Sequence, residues 1–220
     1  MKQEQTERSV PRVYLIDDDP VVTFLLVDLV ESVDLPYKVF ESGVKFLEQD
    51  LSKLEGCIVS DLRMPGMSGL ELQDELHRRG VNLPMIFISA YAEVQSVVRA
   101  MRGGALDFFQ NPFSSQQLIE RIQDGLRIDR ERTELQARNR MMGDRIASLT
   151  PREKEVLQGI FEGKLTKVIA EELGISTRTA ETYRQLIMQK LQAGSIAELV
   201  RIVIEAMPPG KMSRGGAAAV

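Results

Sequence analysis

Two stretches of this chain end an apolar run in carboxylates. YLIDDD (residues 14–19) closes on Asp17, Asp18 and Asp19. CIVSDLRMPGMSG (residues 57–69) passes through Asp61 into a turn-forming Pro65 and Gly66 and then Gly69. If both runs are parallel strands of one sheet, Asp17, Asp18 and Asp61 converge outside the carboxyl ends of the strands, where open α/β sheets bind ligands. Three carboxylates cannot crowd together ionised without a cation. An all-oxygen set suits Mg²⁺, held by a few protein ligands plus water. The competing reading, solvated loop acids, needs two strand-end acid runs to fall at suitable separation by accident.

The elements that must position these acids can be read from periodicity. Apolar runs at residues 13–16, 37–40, 57–60, 85–89 and 106–109 alternate with helical patterns at 21–33, 44–54, 69–79, 94–101 and 114–127, the last opening at a serine N-cap. Five strands alternating with five helices predict a doubly wound five-stranded parallel sheet. The wholly apolar MIFI of residues 85–88 suits a strand covered on both faces. In the first helix Phe24, Leu25, Val27, Leu29 and Val30 are expected to form the buried side. Residues 128–147 are rich in Arg, Glu, Gln and Asn. Ile128, Leu135, Met142 and Leu149 recur every seven residues, but the positions that would complete a seam are mostly charged, so the stretch reads as a solvated linker helix rather than a zipper.

From residue 148 the pattern changes to short, capped helices. Thr150, Pro151 and Glu153 are an N-cap, a first-turn proline and a capping-box glutamate in order. Thr166 is expected to cap a second helix that Gly174 ends, Ser176 to open a third and Ser195 a fourth. Two short helices joined across a glycine outline a helix-turn-helix. In the third helix Ala180, Tyr183, Ile187 and Leu191 fall on an inward side. Thr177, Arg178, Glu181, Thr182 and Gln185 fall on the other, a small polar face suited to a major groove and equally to ordinary solvation. Charge does not decide, because bases and acids balance across this unit. Only local clustering of Lys167, Arg178, Arg184 and Lys190 could supply a basic surface.

The whole chain has 220 residues, net charge -4 and 43% hydrophobic residues, enough for one or two cored domains. No apolar run approaches a membrane span. The polar N-terminus lacks the apolar region of a secretory signal, and the lone Cys57 cannot form an internal disulfide, so a cytoplasmic setting is expected. His77 has no nucleophile or metal partner nearby in sequence, and no role is assigned to it. The expected organisation is a polar extension (1–11), an α/β domain (12–127), a linker helix (128–147), a small all-α domain (148–207) and a disordered tail (208–220).

IDDDP with SDLRMPGMSG resembles the receiver domain of two-component response regulators of the FixJ/NarL type. LTPREKEVLQGIFEGKLTKVIAEELGISTRTAETYRQLIMQKL (residues 149–191) resembles the LuxR/FixJ-type helix-turn-helix. The first resemblance implies a flavodoxin-like receiver in which Asp61 accepts a phosphoryl group from a sensor histidine kinase. Asp18, Asp61 and the carbonyl of Arg63 would bind Mg²⁺, with Asp17 acting through water. Ser89 matches the switch hydroxyl. Phe108 matches the aromatic that turns inward, a position that equally suits plain core filling. The family's lysine after the fifth strand is replaced by Asn111, which can donate a hydrogen bond but brings no positive charge; the following bond to Pro112 corresponds to a cis bond in the family.

The second resemblance implies double-stranded DNA as ligand. Lys167 and Arg178 would meet phosphates, Glu181, Thr182 and Gln185 would face bases, and Thr177, Thr179, Arg184 and Lys190 complete the contact set. Ala180 and Tyr183 depart from the usual valine and histidine. Together these features imply a non-enzymatic transcription regulator that forms a homodimer on activation and can also touch RNA polymerase. The alternative is a phosphorylation-independent regulator whose receiver serves as a dimerisation or protein-binding module.

Overall fold

The computed structural model describes residues 10–91 and 93–206. The expected tail and nearly all of the expected N-terminal extension lie outside the described residues. The chain divides into two compact units, Met1–Thr133 and Glu134–Val220.

In the first unit, strands β1 (Arg12–Ile16), β2 (Tyr37–Phe40), β3 (Gly56–Asp61), β4 (Met85–Ser89) and β5 (Asp107–Gln110) alternate with helices α1 (Pro20–Glu31), α2 (Gly43–Leu47), α3 (Gly69–Arg78) and α4 (Val94–Arg102), and α5 (Ser115–Ala147) follows. The strands pair in parallel in the order β2-β1-β3-β4-β5, the flavodoxin-like doubly wound arrangement. Alternation along the strands sorts their side chains into two cores. Tyr14, Ile16, Ile58, Met85 and Phe87 pack with Phe46, Leu72 and Leu76 from α2 and α3. Val13, Leu15, Val59, Ile86 and Ile88 pack on the opposite face with Leu26 and Val30 of α1 and Leu118 and Ile122 of α5. The apolar run of β4 is therefore covered on both sides, and each such side chain contributes about 1.5–3 kcal/mol.

Three elements differ from their sequence patterns. Phe24 and Leu25, expected inward, are 68% and 60% exposed; Val30 is buried as expected, and Leu26 takes the inward place beside it. The run VVTFLLV is apolar all round and fits more than one helical phase. The expected helix at 44–54 is α2 followed by a 3-10 turn at Leu51–Lys53. Asp50 accepts from the amide (3.3 Å) and hydroxyl (2.6 Å) of Ser52, a local bond that competes with helix propagation. The third difference is that α5 runs without a break through the stretch expected to be a separate linker helix.

Asp129 explains why part of that stretch belongs to the first unit. It is 1% exposed, accepts from the amide of Gly56 at 2.6 Å and pairs with Arg132. Its burial raises its pKa, opposed by the Gly56 bond and the Arg132 charge. Gly56 has φ +136, and a Cβ there would stand 1.9 Å from the Arg12 carbonyl oxygen. A Cβ at Gly125 would meet Cys57 Sγ at 2.6 Å, so α5 lies close against β3. The strand that ends at Asp61 is thus pinned at its start.

In the second unit, α6 (Pro151–Phe161), α7 (Thr166–Glu172), α8 (Thr177–Leu191) and α9 (Ile196–Ala206) enclose a core that includes Leu157, Ile169, Ile187, Leu191, Leu199 and Val203. The capping box of Thr150 and Glu153 forms as its pattern predicts, and Ser176 caps α8. Thr166 does not cap α7: it lies within the helix after Leu165, and its hydroxyl accepts from Arg184 at 3.2 Å. Lys190 does not stand free on the outer face of α8. Its ammonium meets both carboxylate oxygens of Glu153 at 2.7 and 2.8 Å. Glu153 is 3% exposed and also accepts from the Thr150 amide at 2.8 Å. Among the described residues no helix is long and apolar enough to cross a membrane.

The Lys190 bond holds the Glu153 carboxyl below its usual 4.5, with the capping bonds adding to the effect against a desolvation cost. A group depressed in this way stabilises the fold above the carboxylate range and ceases to do so as the pH falls through it. Lys190→Met is expected to destabilise the second unit by about 1–3 kcal/mol at pH 7. That is less than for a fully enclosed pair, because the lysine side chain is 40% exposed. The deficit shrinks below about pH 4, as urea denaturation of wild type and variant across pH will measure.

Candidate functional site

The backbone register assembles the first site. Ile16 pairs with Ser60 across β1 and β3, so Asp17 and Asp61 follow side by side at the carboxyl ends of those strands. Asp61 pairs with Ile88 across β3 and β4, and Ser89 pairs with Gln110 across β4 and β5. The amide of Asn111 donates to the Ser89 carbonyl at 2.9 Å. Asp17, Asp61, Ser89 and Asn111 therefore occupy consecutive strand ends, flanking the β1/β3 point at which the strand order reverses. Gly69 makes the close return of the chain feasible: its amide donates to the Leu62 carbonyl at 3.0 Å, and a Cβ there would stand 2.4 Å from the Asp61 carbonyl oxygen.

Electrostatically the site is under-compensated. Asp17 is 5% exposed, and burial, aided by the charges of Asp61 and Asp18, pushes its carboxyl up to about 6 against the bond it accepts from the Asp19 amide (2.8 Å). Burial also raises Asp61, opposed by the bond from the Arg63 amide (2.8 Å) and reinforced by Asp18. The Arg63 guanidinium turns to Glu93, 2.5 Å away, a partner that the sequence pattern did not single out. Asp18 is exposed, and Asp19 caps α1 by accepting from the Val21 amide at 2.8 Å.

Among the described residues no three His, Cys, Asp or Glu side chains are drawn into a ready-made metal cage. The expected crowd of three carboxylates is instead two partly enclosed acids with Asp18 at the rim. Such a donor set fits Mg²⁺ better than a cation that demands an all-protein shell, since Mg²⁺ keeps several waters. Proximity of like charges, rather than a closed coordination shell, is what marks the site.

The residues expected from the resemblance to act as a switch lie at or beside the strand ends. Ser89 is 3% exposed, and its hydroxyl donates to the Tyr91 carbonyl at 3.0 Å and accepts from the Tyr91 amide at 3.3 Å. Phe108 pairs in register with Phe87 and packs in part against the core. Asn111 is exposed, and the Asn111–Pro112 bond is cis. Beside the site, Val21, Phe24 and Leu25 of α1 form an exposed apolar stripe at helical spacing. Their i, i+3, i+4 pattern was visible in the sequence but could not be told from a core-facing one.

The second site is the outer face of α8. Thr177, Arg178, Thr179, Glu181, Thr182 and Gln185 are exposed, as is Lys167 on α7, whereas Ala180, Ile187 and Leu191 are buried. Ser176 and Thr179 share a hydrogen bond of 2.8 Å between their hydroxyls, and the Thr182 hydroxyl donates to the Arg178 carbonyl at 3.0 Å. Among the described residues of 148–206, every Lys and Arg except Lys167 and Arg178 has a hydrogen-bond or ion-pair partner. Arg184 and Lys190 are thus engaged within the domain, while the two free cations flank the polar face.

Residues 13–123 match the response regulator receiver domain, and residues 147–203 match the bacterial regulatory proteins of the luxR family. The chain is 40% identical over 196 residues to the transcriptional regulatory protein FixJ of Azorhizobium caulinodans, covering 89% of this chain and 92% of that protein. It is 38% identical over 192 residues to the transcriptional regulatory protein TdiR of Thauera aromatica, covering 87% and 85%. Among solved structures it resembles the response regulator StyR, with TM-score 0.79 and 39% identity over 88% of this chain and 98% of that one. Full-length FixJ from B. japonicum gives TM-score 0.54 and 36% identity, covering 89% and 97%. With both domains in order along one chain and relatives matched over nearly their full length, this protein belongs to the two-component response regulators that join a receiver to a LuxR-type DNA-binding domain.

Proposed function

We propose that a partner histidine kinase phosphorylates Asp61 and that the modification controls dimerisation and DNA binding in the cytoplasm. The observation that carries this reading is the half-enclosed Asp61 carboxylate at a strand end, with Asp17, Ser89 and Asn111 at the neighbouring ends. An Asp61 oxygen attacks the phosphorus of a phosphohistidine, the P–N bond breaks, and the imidazole leaves. Asp18, Asp61 and the Arg63 carbonyl would hold Mg²⁺ with Asp17 acting through water, and the ion supplies positive charge to the phosphoryl oxygens when bound. Ser89 offers a hydroxyl to the new phosphoryl group once it releases Tyr91, and Phe108 follows it inward. At the second site Lys167 and Arg178 meet DNA phosphates, and the face from Thr177 to Gln185 lies in the major groove. Two copies double the few phosphate contacts that each copy provides.

Asn111 supports a second reading. Its amide brings no charge to a site already rich in acids, a difference that can amount to several kcal/mol. In this reading the receiver works without phosphorylation, as a dimerisation or protein-binding module. Electrophoresis that retards phosphoproteins, after incubation with acetyl phosphate and Mg²⁺, separates the two. A shift of wild type that is lost in Asp61→Asn supports phosphorylation control. A shift seen only in Asn111→Lys establishes the second reading.

The stripe of Val21, Phe24 and Leu25 beside the acids is the surface on which a kinase would seat while presenting its phosphohistidine. Phe24→Ser is expected to slow transfer from the kinase about tenfold or more while leaving labelling by acetyl phosphate unchanged. Equal slowing of both overturns this docking role.

Mg²⁺ and protons compete for the same acids. Because Asp17 is raised from 3.8 to about 6, the folded protein holds a proton there between these values that the unfolded chain has released. Without a cation, stability therefore falls as the pH rises across that window, and the buried charge remains a cost above it. Mg²⁺ is expected to raise the melting temperature of the receiver clearly at pH 7.5 and little at pH 5. Asp17→Asn should remove most of that pH dependence and, without Mg²⁺, stabilise the fold at pH 7.5 by roughly 1–3 kcal/mol. Differential scanning calorimetry at the two pH values checks both signs.

A further inference from the structure

Helix α5 is supported unevenly along its length. As far as Arg132 it packs on the sheet through Leu118, Ile122 and Leu126 and is laced by ion pairs, Arg121 and Arg127 to Asp124 and Arg127 to Glu131. From Arg145 it is held again: that guanidinium donates to the Gln192 side chain at 2.7 Å, and Ile146 is buried in the second core. Between these points the lacing stops. Every residue from Glu134 to Asp144 is exposed or half-buried, and Met142 alone packs in part against a core. Glu134 and Arg138 stand four apart, as do Arg140 and Asp144, the spacing that suits a helical ion pair. None of the four side chains has a partner among the described residues.

Gly143 weakens the same stretch. Its φ is not positive, and a Cβ there would meet nothing within 4 Å, so neither backbone nor packing requires a glycine. Gly125 of the same helix is the opposite case, tight against Cys57. After proline, glycine is the least favourable residue inside a helix, and a helix shorter than about 12–15 residues is marginal in water by itself. Residues 133–144 are therefore wound because their two ends are held.

At the receiver end the hold is Asp129. It is the last buried side chain of α5 in the first unit, and Ile128 beside it is 37% exposed, so little apolar burial fixes the root of the stretch. Its carboxylate takes the amide of Gly56 at 2.6 Å across 73 residues of chain and pairs with Arg132. The Arg132 guanidinium is seated imperfectly, because its Nε is buried without a partner. A carboxylate stripped of its partners is strongly unfavourable in a buried position, so this contact opens as a unit rather than by degrees.

We infer that Asp129 is a clasp on the linker: closed, it keeps residues 133–144 wound, and open, it lets them unwind about Gly143 into a tether. Wound, the stretch spans about 18 Å; unwound, it spans up to about 40 Å. Release of one buried acid thus more than doubles its reach. The clasp grips the first residue of β3 and not the phosphoryl site, so the inference stands whether or not Asp61 is phosphorylated.

The test is hydrogen–deuterium exchange of the full-length protein, read by peptide mass spectrometry, together with limited trypsin digestion after Arg138 and Arg140. In wild type, 133–144 is expected to exchange roughly tenfold or more faster than 118–129. Asp129→Ala should speed exchange and cleavage in 133–144 by about a further tenfold while leaving β1 and β4 at the wild-type rate. Asp129→Asn keeps an acceptor for the Gly56 amide but loses the charge that pairs with Arg132, and should fall between. Gly143→Ala should slow both readouts about three- to fivefold, in wild type and in Asp129→Ala alike. Because its new methyl group meets no neighbour, Gly143→Ala reports on the stretch even if Asp129→Ala disturbs the sheet. If the Asp129 variants leave 133–144 unchanged, or speed β1 and β4 equally, Asp129 is a plain core contact and the clasp is refuted. If Gly143→Ala alters neither readout, the unwinding about that residue is refuted.

Discussion

At the carboxyl ends of β1 and β3 the backbone register fixes Asp17 next to Asp61, and the packing on both faces of the sheet keeps water from screening them fully. Neither strand can slip to relieve the repulsion, because a shift of one residue would turn Val13, Leu15, Ile58 and their neighbours to the wrong core. The acids are instead accommodated piecemeal: Asp17 takes the Asp19 amide, Asp61 takes the Arg63 amide, and Asp18 remains at the rim. These bonds lessen the charge without cancelling it, which is why burial still raises Asp17 and Asp61. A site in this condition favours whatever delivers positive charge.

The second unit solves the opposite problem. Glu153 is enclosed at the start of α6, where the capping box alone would satisfy part of the carboxylate, and Lys190 from the last turn of α8 satisfies the rest. The pair fixes α8 against α6 at the end away from Ser176 and leaves the polar face of the helix unburdened by structural contacts. Arg184 is withdrawn in the same way towards Thr166. Of the four cations whose clustering the sequence suggests, two are therefore engaged within the domain and two have no partner among the described residues.

Much of this was legible before the structure. The strands could be read because apolar runs bounded by turn residues have few alternatives, and Asp17, Asp61, Ser89 and Asn111 could be placed because each ends or follows such a run. What was not legible shares a cause: a side chain compatible with two environments. Phe24 and Leu25 lie in a helix apolar on every side, so period alone could not choose its inward face. Asp129 and Lys190 look like surface charges in sequence, because the groups that enclose them, the Gly56 amide and the Glu153 carboxylate, are 73 and 37 residues distant along the chain. Asp50 shortened a helix through a bond to Ser52 that competes with propagation and leaves no periodic trace.

The replacement of the usual lysine by Asn111 acquires its meaning from this electrostatic setting. In a well-compensated site the loss of one cation would be absorbed by solvent and side-chain rearrangement. Here the Arg63 guanidinium is paired with Glu93, so its charge only partly offsets the burial of Asp61, and Asn111, whose backbone amide donates to the Ser89 carbonyl, brings a neutral side chain. A carboxamide can still orient a phosphoryl oxygen by donating to it, but the charge must come from a bound cation. The balance between the proposed phosphorylation control and a receiver that works unmodified thus reduces to whether the acids at the ends of β1 and β3 can hold a cation strongly enough to stand in for the missing lysine.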